Sequence, residues 1–353
     1  MIKPKLDSLF NFPVCYHPTT ILSVDDDEAF LNILSSRLAD EIPVLCFSEP
    51  KDALEYTKNH HAHSPFRERC LKDSSSEQDK LDLDAIRNEI YNRDRFKEIY
   101  INVTDYDMPH INGIELTKTM EFKPDIPRYS HIFLTGKISD DFMKKVKDKD
   151  YIGKDDPNVI NTLLSKIEKR GLAIFQMYSH EIARILSRNP NEKTAILFDG
   201  NFSQVFNKYL NENKICEFYL FDKQGSYILL DDDANISYLF IRNEKGMKNS
   251  IELAKEFGAP KEIIESLESK KFLLSLYERK DFESRENIDW EGHLLPANEF
   301  ISNDEYLRFF SDLKPKEEPK YYYAFTKNFP GNHIDNSRII SYNSYLSKQE
   351  DTN

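Results

Sequence analysis

The first 170 residues alternate short apolar runs with segments of helical periodicity. Apolar runs near residues 20–24, 44–47, 99–103, 132–134 and 150–152 are separated by stretches in which apolar residues recur every three or four positions. Strands that alternate with helices form a parallel sheet with helices on both faces. The pattern therefore predicts a doubly wound α/β domain with a five-stranded parallel sheet over residues 1–170.

One polar stretch interrupts this alternation. Residues 59–97 include a run of one aspartate, three serines and a glutamate near the middle, and only residues 81–90 have weak helical periodicity. A long polar segment between regular elements is typical of an insertion. We interpret residues 59–97 as a mobile loop with one surface helix.

Polar residues stand at the carboxyl ends of the predicted strands, which is the edge where binding sites form in such sheets. Asp25 and Asp26 follow the first strand, Asp105 ends the central one, and Thr135 and Lys154 follow the next two. Adjacent carboxylates suit Mg²⁺, which takes one or two carboxylates together with waters and phosphate oxygens. A third carboxylate there could act as a nucleophile towards a phosphoryl group. A threonine hydroxyl and a lysine ammonium could bind its oxygens.

These positions lie in segments that resemble the motifs of bacterial response-regulator receiver domains, in the same order along the chain. The segments are Val-Asp-Asp-Asp at 24–27, Thr-Asp-Tyr-Asp-Met-Pro-His-Ile-Asn-Gly at 104–113, Leu-Thr-Gly at 134–136 and Tyr-Ile-Gly-Lys at 151–154. The spacing Asp-x-x-Met-Pro-x-x-x-Gly is the most specific of them. The resemblance covers about residues 18–170 and implies the flavodoxin-like receiver fold.

The resemblance also implies roles for individual residues. It implies a Mg²⁺ ion bound by the carboxylates of Asp25, Asp26 and Asp105 and by the backbone carbonyl of Asp107, with Asp105 as the phosphate acceptor. It implies that the donor is a sensor histidine kinase or a phosphotransfer protein.

The same resemblance implies a conformational switch. Thr135 would move towards the phosphoryl group, Lys154 would bridge to a carboxylate or phosphate, and Tyr151 would be the aromatic side chain that turns inward. A packed core aromatic remains the alternative interpretation of Tyr151.

The sequence departs from the family pattern at three places. Asp155 follows Lys154 where the family usually has proline, Gly136 stands where alanine is common, and the insertion at 59–97 precedes the phosphoacceptor strand. Cis peptide bonds are costly without proline, so we expect the usual cis bond to be missing. These departures concern the geometry and speed of switching more than the chemistry.

The second half of the chain predicts a different architecture. We expect a linking helix at 171–188 that is either core or a dimer seam, an α+β output domain with an antiparallel sheet at 189–340, and a flexible tail at 341–353. No motif in this half identifies an activity. The chain as a whole, including its composition rich in lysine, asparagine, isoleucine and tyrosine, resembles a quorum-sensing response regulator.

Composition constrains the remaining classes. The net charge of −13 disfavours an output domain that binds nucleic acid through a basic surface. No apolar run has the length of a membrane span, no signal peptide is evident, and four irregularly spaced cysteines fit reduced thiols, so we expect a cytoplasmic protein. We expect output by dimerisation or protein contact and no enzymatic activity beyond phosphoryl transfer to the chain itself. A nucleic-acid-binding regulator and a receiver-regulated enzyme or ligand sensor remain the alternatives.

Overall fold

The protein is described by a computed structural model that covers most of the chain. The described residues are 13–60, 82–121, 130–136, 140–146, 150–171, 175, 196, 199–222, 224–276, 278–302, 319–330 and 334–350. Within these ranges, no helix is long and apolar enough to cross a membrane.

The first half contains the predicted five-stranded parallel sheet. The strands are β2 (Thr20–Val24), β3 (Val44–Phe47), β4 (Ile99–Asp105), β5 (Ser130–Thr135) and β6 (Asp150–Gly153). Their order in the sheet is β3-β2-β4-β5-β6, and every neighbouring pair is parallel. The helices are α1 (Glu28–Leu38), α2 (Pro50–His60), α3 (Leu83–Asn88), α4 (Gly113–Glu121), α5 (Asp140–Lys145) and α6 (159–171). The order and direction of the strands confirm the doubly wound, flavodoxin-like fold.

Helix α1 shows how the sequence defines these elements. The side chain of Asp27 caps the helix by accepting a hydrogen bond from the backbone N–H of Phe30, at 3.1 Å. Leu31, Leu34 and Leu38 recur at helical spacing and are the buried residues of the helix. The cap and the apolar stripe together place the start of α1 directly after the acidic residues.

The second half is built on an antiparallel sheet, as predicted; this sheet has six strands, and two further strands form a separate pair. The strands are β1 (Cys15–Tyr16), β7 (Ile215–Leu220), β8 (Tyr227–Asp231), β9 (Ile236–Asn243), β10 (Phe272–Leu274), β11 (Leu294–Pro296), β12 (Asn298–Ile301) and β13 (Lys320–Thr326). The order in the sheet is β1-β7-β8-β9-β13-β12, and a separate pair joins β10 to β11. The helices are α7 (Gly200–Glu212), α8 (Glu244–Glu256), α9 (Lys261–Glu268), α10 (Arg279–Glu283), α11 (Trp290–His293) and α12 (Tyr342–Glu350).

The start of the chain differs from the expected division into domains. Strand β1 precedes the first receiver strand but pairs antiparallel with β7, through Cys15 with Tyr219 and Tyr16 with Phe218. Tyr16 also stacks on Phe218, with ring centroids 5.5 Å apart. The second sheet therefore begins with residues that we expected to belong to the receiver domain. A two-residue strand has too little periodicity to reveal this pairing in the sequence.

The described end of the insertion and the expected tail also differ from the predictions. Residues 82–97 form α3 and two 3₁₀ turns, with Arg95 and Phe96 completely buried. The tail forms α12, in which Tyr342 and Tyr345 are buried against Phe96. Both segments are mostly polar in sequence because only a few of their large side chains are buried. Those few pack between two other surfaces of the protein. Residues 61–81, which include most of the expected loop, lie outside the described residues.

A shared apolar core joins the two sheets. One cluster of buried side chains contains Ile101 and Val103 of the parallel sheet together with Phe218 and Leu229 of the antiparallel sheet. Phe175, the one described residue between 171 and 196, packs edge-on against Tyr16 and Tyr100 in this core. The rest of the expected linking helix at 171–188 lies outside the described residues, apart from Gly171 at the end of α6.

Candidate functional site

Two neighbouring strands bring the acidic residues together at the carboxyl edge of the parallel sheet. Val24 pairs with Thr104 across β2 and β4, so Asp25 and Asp105 emerge side by side. Carboxylate oxygens of Asp25, Asp26 and Asp105 all lie within 4.8 Å of one another. Asp25 and Asp105 are buried, whereas Asp26 is exposed. The structure therefore forms the acidic cluster that the sequence predicts.

Lys154 lies between the two buried carboxylates. Its Nζ is 2.7 Å from Oδ2 of Asp25 and 3.1 Å from Oδ1 of Asp105. Its backbone N–H donates to the carbonyl of Thr135 at 2.8 Å, which extends the pairing of β5 with β6 by one residue. Sheet register thus fixes the backbone of Lys154, and the long side chain reaches the acids.

The electrostatics of this cluster are unbalanced. Burial raises the pKa of Asp25, although Lys154 and the backbone N–H of Asp27 act in the opposite direction. Burial and the charges of Asp25 and Asp26 likewise raise the pKa of Asp105 against the effect of Lys154. The pKa of Lys154 is raised overall. Burial lowers it, but the hydrogen bond to Asp25 and the charge of Asp105 together raise it by more. One ammonium therefore compensates only part of the negative charge.

The acidic cluster fits a hard divalent cation. Three carboxylates with oxygens within 4.8 Å of one another match the all-oxygen ligands that Mg²⁺ prefers. Burial, and to a smaller extent repulsion from neighbouring carboxylates, raises the pKa of Asp25 and of Asp105, and a bound cation would favour their ionised forms. Asp107 lies two residues beyond Asp105, in the exposed loop that follows β4.

Gly113 is required by close approach to the backbone of Asp105. A Cβ at Gly113 would lie 2.3 Å from the carbonyl oxygen of Asp105, which is far inside contact distance. The Gly113 N–H donates to the carbonyl of Tyr106 at 3.0 Å, so α4 starts directly against the end of β4. This contact explains why glycine ends the Asp-x-x-Met-Pro-x-x-x-Gly motif.

Thr135 and Tyr151 flank the cluster on β5 and β6. Thr135 is completely buried and pairs with Gly153. Tyr151 is half-buried and meets Phe142 of α5 edge-on, with ring centroids 5.5 Å apart. Phe142 also meets Tyr106, the residue after Asp105, at 4.7 Å. Phe142 thus connects the acidic loop to Tyr151, a link that the sequence analysis missed because nothing in the motif spacing marks it.

The peptide bond after Lys154 and the ring of Phe30 both bear on the position of the Lys154 side chain. The described peptide bonds, including the one between Lys154 and Asp155, are all trans. The ammonium of Lys154 also lies 5.1 Å from the centre of the Phe30 ring in α1, a cation–π contact that adds to its placement. The structure thus positions Lys154 without the proline that the family usually carries.

Comparison with solved structures extends the resemblance to the whole chain. The response regulator LqsR of Legionella pneumophila matches with a TM-score of 0.72 and 29% sequence identity, over 96% of this chain and 97% of LqsR. This match covers both sheets, whereas the sequence motifs covered only the first. It confirms the whole-chain resemblance to a response regulator.

Two further solved structures match about two fifths of the chain. The chemotaxis protein CheY4 of Vibrio cholerae is 17% identical over 43% of this chain and 98% of its own, with a TM-score of 0.30. A CheY-like receiver domain protein from Methanospirillum hungatei is 20% identical over 44% and 96%, with a TM-score of 0.29. No protein-family model and no curated protein sequence matches the chain. The chain is thus similar along nearly its whole length to a bacterial response regulator, with a receiver fold in its first half and an antiparallel α+β structure in its second.

Proposed function

We propose that this chain is the response regulator of a two-component phosphorelay and that Asp105 is its phosphate acceptor. The observation that carries this proposal is the bridge formed by Lys154 between Asp25 and Asp105 at the carboxyl edge of the parallel sheet. The similarity to LqsR along nearly the whole chain supports the same function.

The side chains have separate roles in this proposal. An oxygen of Asp105 attacks the phosphorus of the donor, and the bond from phosphorus to the donor breaks. Mg²⁺, bound by Asp25, Asp26, Asp105 and the carbonyl of Asp107, would neutralise charge on the phosphoryl oxygens. Lys154 supplies a second positive charge, and Thr135 donates its hydroxyl to the bound phosphoryl group.

The phosphate donor in this proposal is a sensor histidine kinase or a phosphotransfer protein. Asp26 and Asp107 are exposed beside the buried Asp105, so the acidic edge faces solvent where a donor could approach. We propose quorum sensing as the input, because the chain as a whole resembles a quorum-sensing response regulator in sequence.

Output passes, in our proposal, from Tyr151 and Phe142 to the second half of the chain, which acts by dimerisation or protein contact. Tyr151 packs on Phe142, and Phe142 packs on the residue after Asp105, so a change at the acceptor reaches the α5 face directly. The chain's negative charge supports a protein partner over nucleic acid.

The decisive experiment is the intact mass of the full chain after incubation with acetyl phosphate and Mg²⁺. Wild type is expected to gain one phosphoryl group, and Asp105→Asn is expected to gain none. Asp107→Asn is the matched control, because only the backbone carbonyl of Asp107 has a role, and it should still be labelled. Labelling that persists in Asp105→Asn would exclude Asp105 as the acceptor. Size-exclusion chromatography of the labelled wild type then tests dimerisation.

A further inference from the structure

The two strands that carry the buried acids are both anchored, at their other ends, to one strand of the second sheet. Strand β2 ends next to Asp25, and the chain before it forms β1, which pairs with β7. Strand β4 ends at Asp105, and Arg95 just before it binds Glu217 of β7. The span of β4 is roughly 20 Å at about 3.3 Å per residue, so β7 lies far from the acids.

Arg95 and Glu217 form a bidentate ion pair that is entirely buried. Nε of Arg95 donates to Oε2 of Glu217 at 2.7 Å, and Nη2 donates to Oε1 at 2.9 Å, with both side chains 0% exposed. The guanidinium also donates to the carbonyls of Asn92 at 3.0 Å and Ile340 at 2.7 Å. Tyr219 donates its hydroxyl to Glu217 at 2.6 Å. The pair thus joins the insertion, strand β7 and the residues before α12.

The amino ends of β2 and β4 are themselves tied together. The hydroxyl of Thr20 donates to the carbonyl of Phe96 at 2.6 Å, and the Thr20 N–H donates to the carbonyl of Glu98 at 2.9 Å. Phe96 packs against the Arg95 guanidinium and against Tyr342 of α12. The two acid-bearing strands therefore start from one packed assembly that includes β7.

We infer that β7 is energetically coupled to the acidic site, so that Mg²⁺ bound between Asp25 and Asp105 stabilises β7 through strands β2 and β4. A cation that holds the two carboxyl ends together restrains both strands and suppresses their local opening. The amino ends share hydrogen bonds and an ion pair with β7, so opening of β7 is suppressed with them. Coupling is reciprocal, so opening of β7 weakens Mg²⁺ binding by the same factor by which Mg²⁺ suppresses that opening, and a loosened link at β7 is expected to weaken Mg²⁺ binding.

This inference rests on the cation site of the proposed function, but it requires no phosphorylation. It assigns the Arg95–Glu217 pair a role in communication as well as in stability. The N-terminal strand and the insertion, both absent from the motif pattern, share that role because they connect the receiver sheet to β7.

Hydrogen exchange of the full chain with and without saturating Mg²⁺ tests the coupling, and titration calorimetry measures the Mg²⁺ affinity. In wild type, exchange of the β7 amides is expected to slow by roughly fivefold, at the low end of usual coupling between sites. The double variant Arg95→Met/Glu217→Leu removes both charges and retains apolar volume. It should lose the slowing in β7, keep it in β2 and β4, and bind Mg²⁺ about fivefold more weakly.

Two further variants keep the test informative. Tyr219→Phe removes only the hydroxyl that binds Glu217 and should reduce the slowing in β7 even if the double variant does not fold. Lys255→Gln breaks an exposed ion pair with Glu268 in the second half and should leave both readouts unchanged. Absence of Mg²⁺ binding in wild type overturns both the proposed site and the coupling. Mg²⁺ binding with unchanged exchange in β7 overturns the coupling alone, and slowing that persists undiminished in both test variants overturns the route through Arg95.

Discussion

Two of the buried groups of charges among the described residues differ in their balance. At the carboxyl edge of the parallel sheet, Lys154 faces Asp25 and Asp105 with exposed Asp26 beside them. At the amino edge, one guanidinium faces one carboxylate, and neutral donors and acceptors surround the pair. The first group has an excess of negative charge, and the second is matched.

The difference distinguishes a site suited to binding a cation from an ion pair that stabilises the fold. Burial of like charges disfavours the ionised forms, so the acidic cluster gains stability only when a cation or a proton arrives. A buried ion pair whose hydrogen bonds are satisfied needs no further partner, and it is costly to break. Charge balance, rather than burial, therefore distinguishes the two edges of the sheet.

The largest expected effect comes from breaking the matched pair. Glu217→Gln leaves the Arg95 guanidinium buried without its counter-charge, and unfolding free energy should fall by about 3–5 kcal/mol. Denaturant unfolding monitored by circular dichroism measures the change. Arg95→Met/Glu217→Leu is the control, because removal of both charges should cost far less. Equal losses in the single and double variants would contradict an electrostatic origin.

The next effect concerns the backbone beneath the acidic cluster. Gly113→Ala would place a Cβ 2.3 Å from the Asp105 carbonyl oxygen, so unfolding free energy should fall by about 1–3 kcal/mol. Gly136→Ala is the matched control at the same edge, since no heavy atom lies within 4 Å of a Cβ built there. Its effect should stay within about 0.5 kcal/mol. Thermal unfolding of both variants makes the comparison, and similar melting temperatures would show that α4 can shift away from β4.

A smaller effect tests the excess charge directly. Because burial raises the pKa of Asp105 in the folded state, its favourable contribution is complete below its usual value near 3.8 and is lost as pH rises through the raised pKa. In EDTA at neutral pH, Asp105→Asn should therefore be more stable than wild type, on the order of 0.5–1 kcal/mol after solvent screening. Urea unfolding at pH 4 and pH 7 checks this.

Mg²⁺ should remove this stability advantage of Asp105→Asn. The cation stabilises only the wild-type cluster, so the advantage of Asp105→Asn at pH 7 should disappear as Mg²⁺ saturates the site. A variant that is less stable than wild type at pH 7 in EDTA would show that Lys154 already compensates the acids.

The smallest effect comes from an exposed ion pair. Lys255 and Glu268 are 2.6 Å apart but half exposed, and Lys255→Gln should lower unfolding free energy by about 0–1 kcal/mol. The same denaturant measurement applies, and 0.5 M salt should reduce the difference further. A loss comparable to that of Glu217→Gln would remove the contrast between buried and exposed pairs.

Sequence reasoning located the acidic cluster because its residues follow strands of a parallel sheet. The alternation of strands with helices predicts which edge collects Asp25, Asp105 and Lys154, and the structure places them there. The same reasoning missed β1, the packed end of the insertion, and α12. Each of these is short and buries only a few side chains, so no periodic pattern marks it.

The sequence by itself determined the parallel sheet, the antiparallel second sheet and the residues of the acidic cluster, because local patterns of two, three and four residues specify strands, helices and strand ends. Only the tertiary structure decided that Cys15 and Tyr16 join the second sheet and that Arg95 meets Glu217, 122 positions along the chain. Such contacts depend on which surfaces remain uncovered once the local elements have packed. From sequence alone, an arginine in a polar segment is therefore predicted to lie on the surface, because the surface that buries it is not yet known.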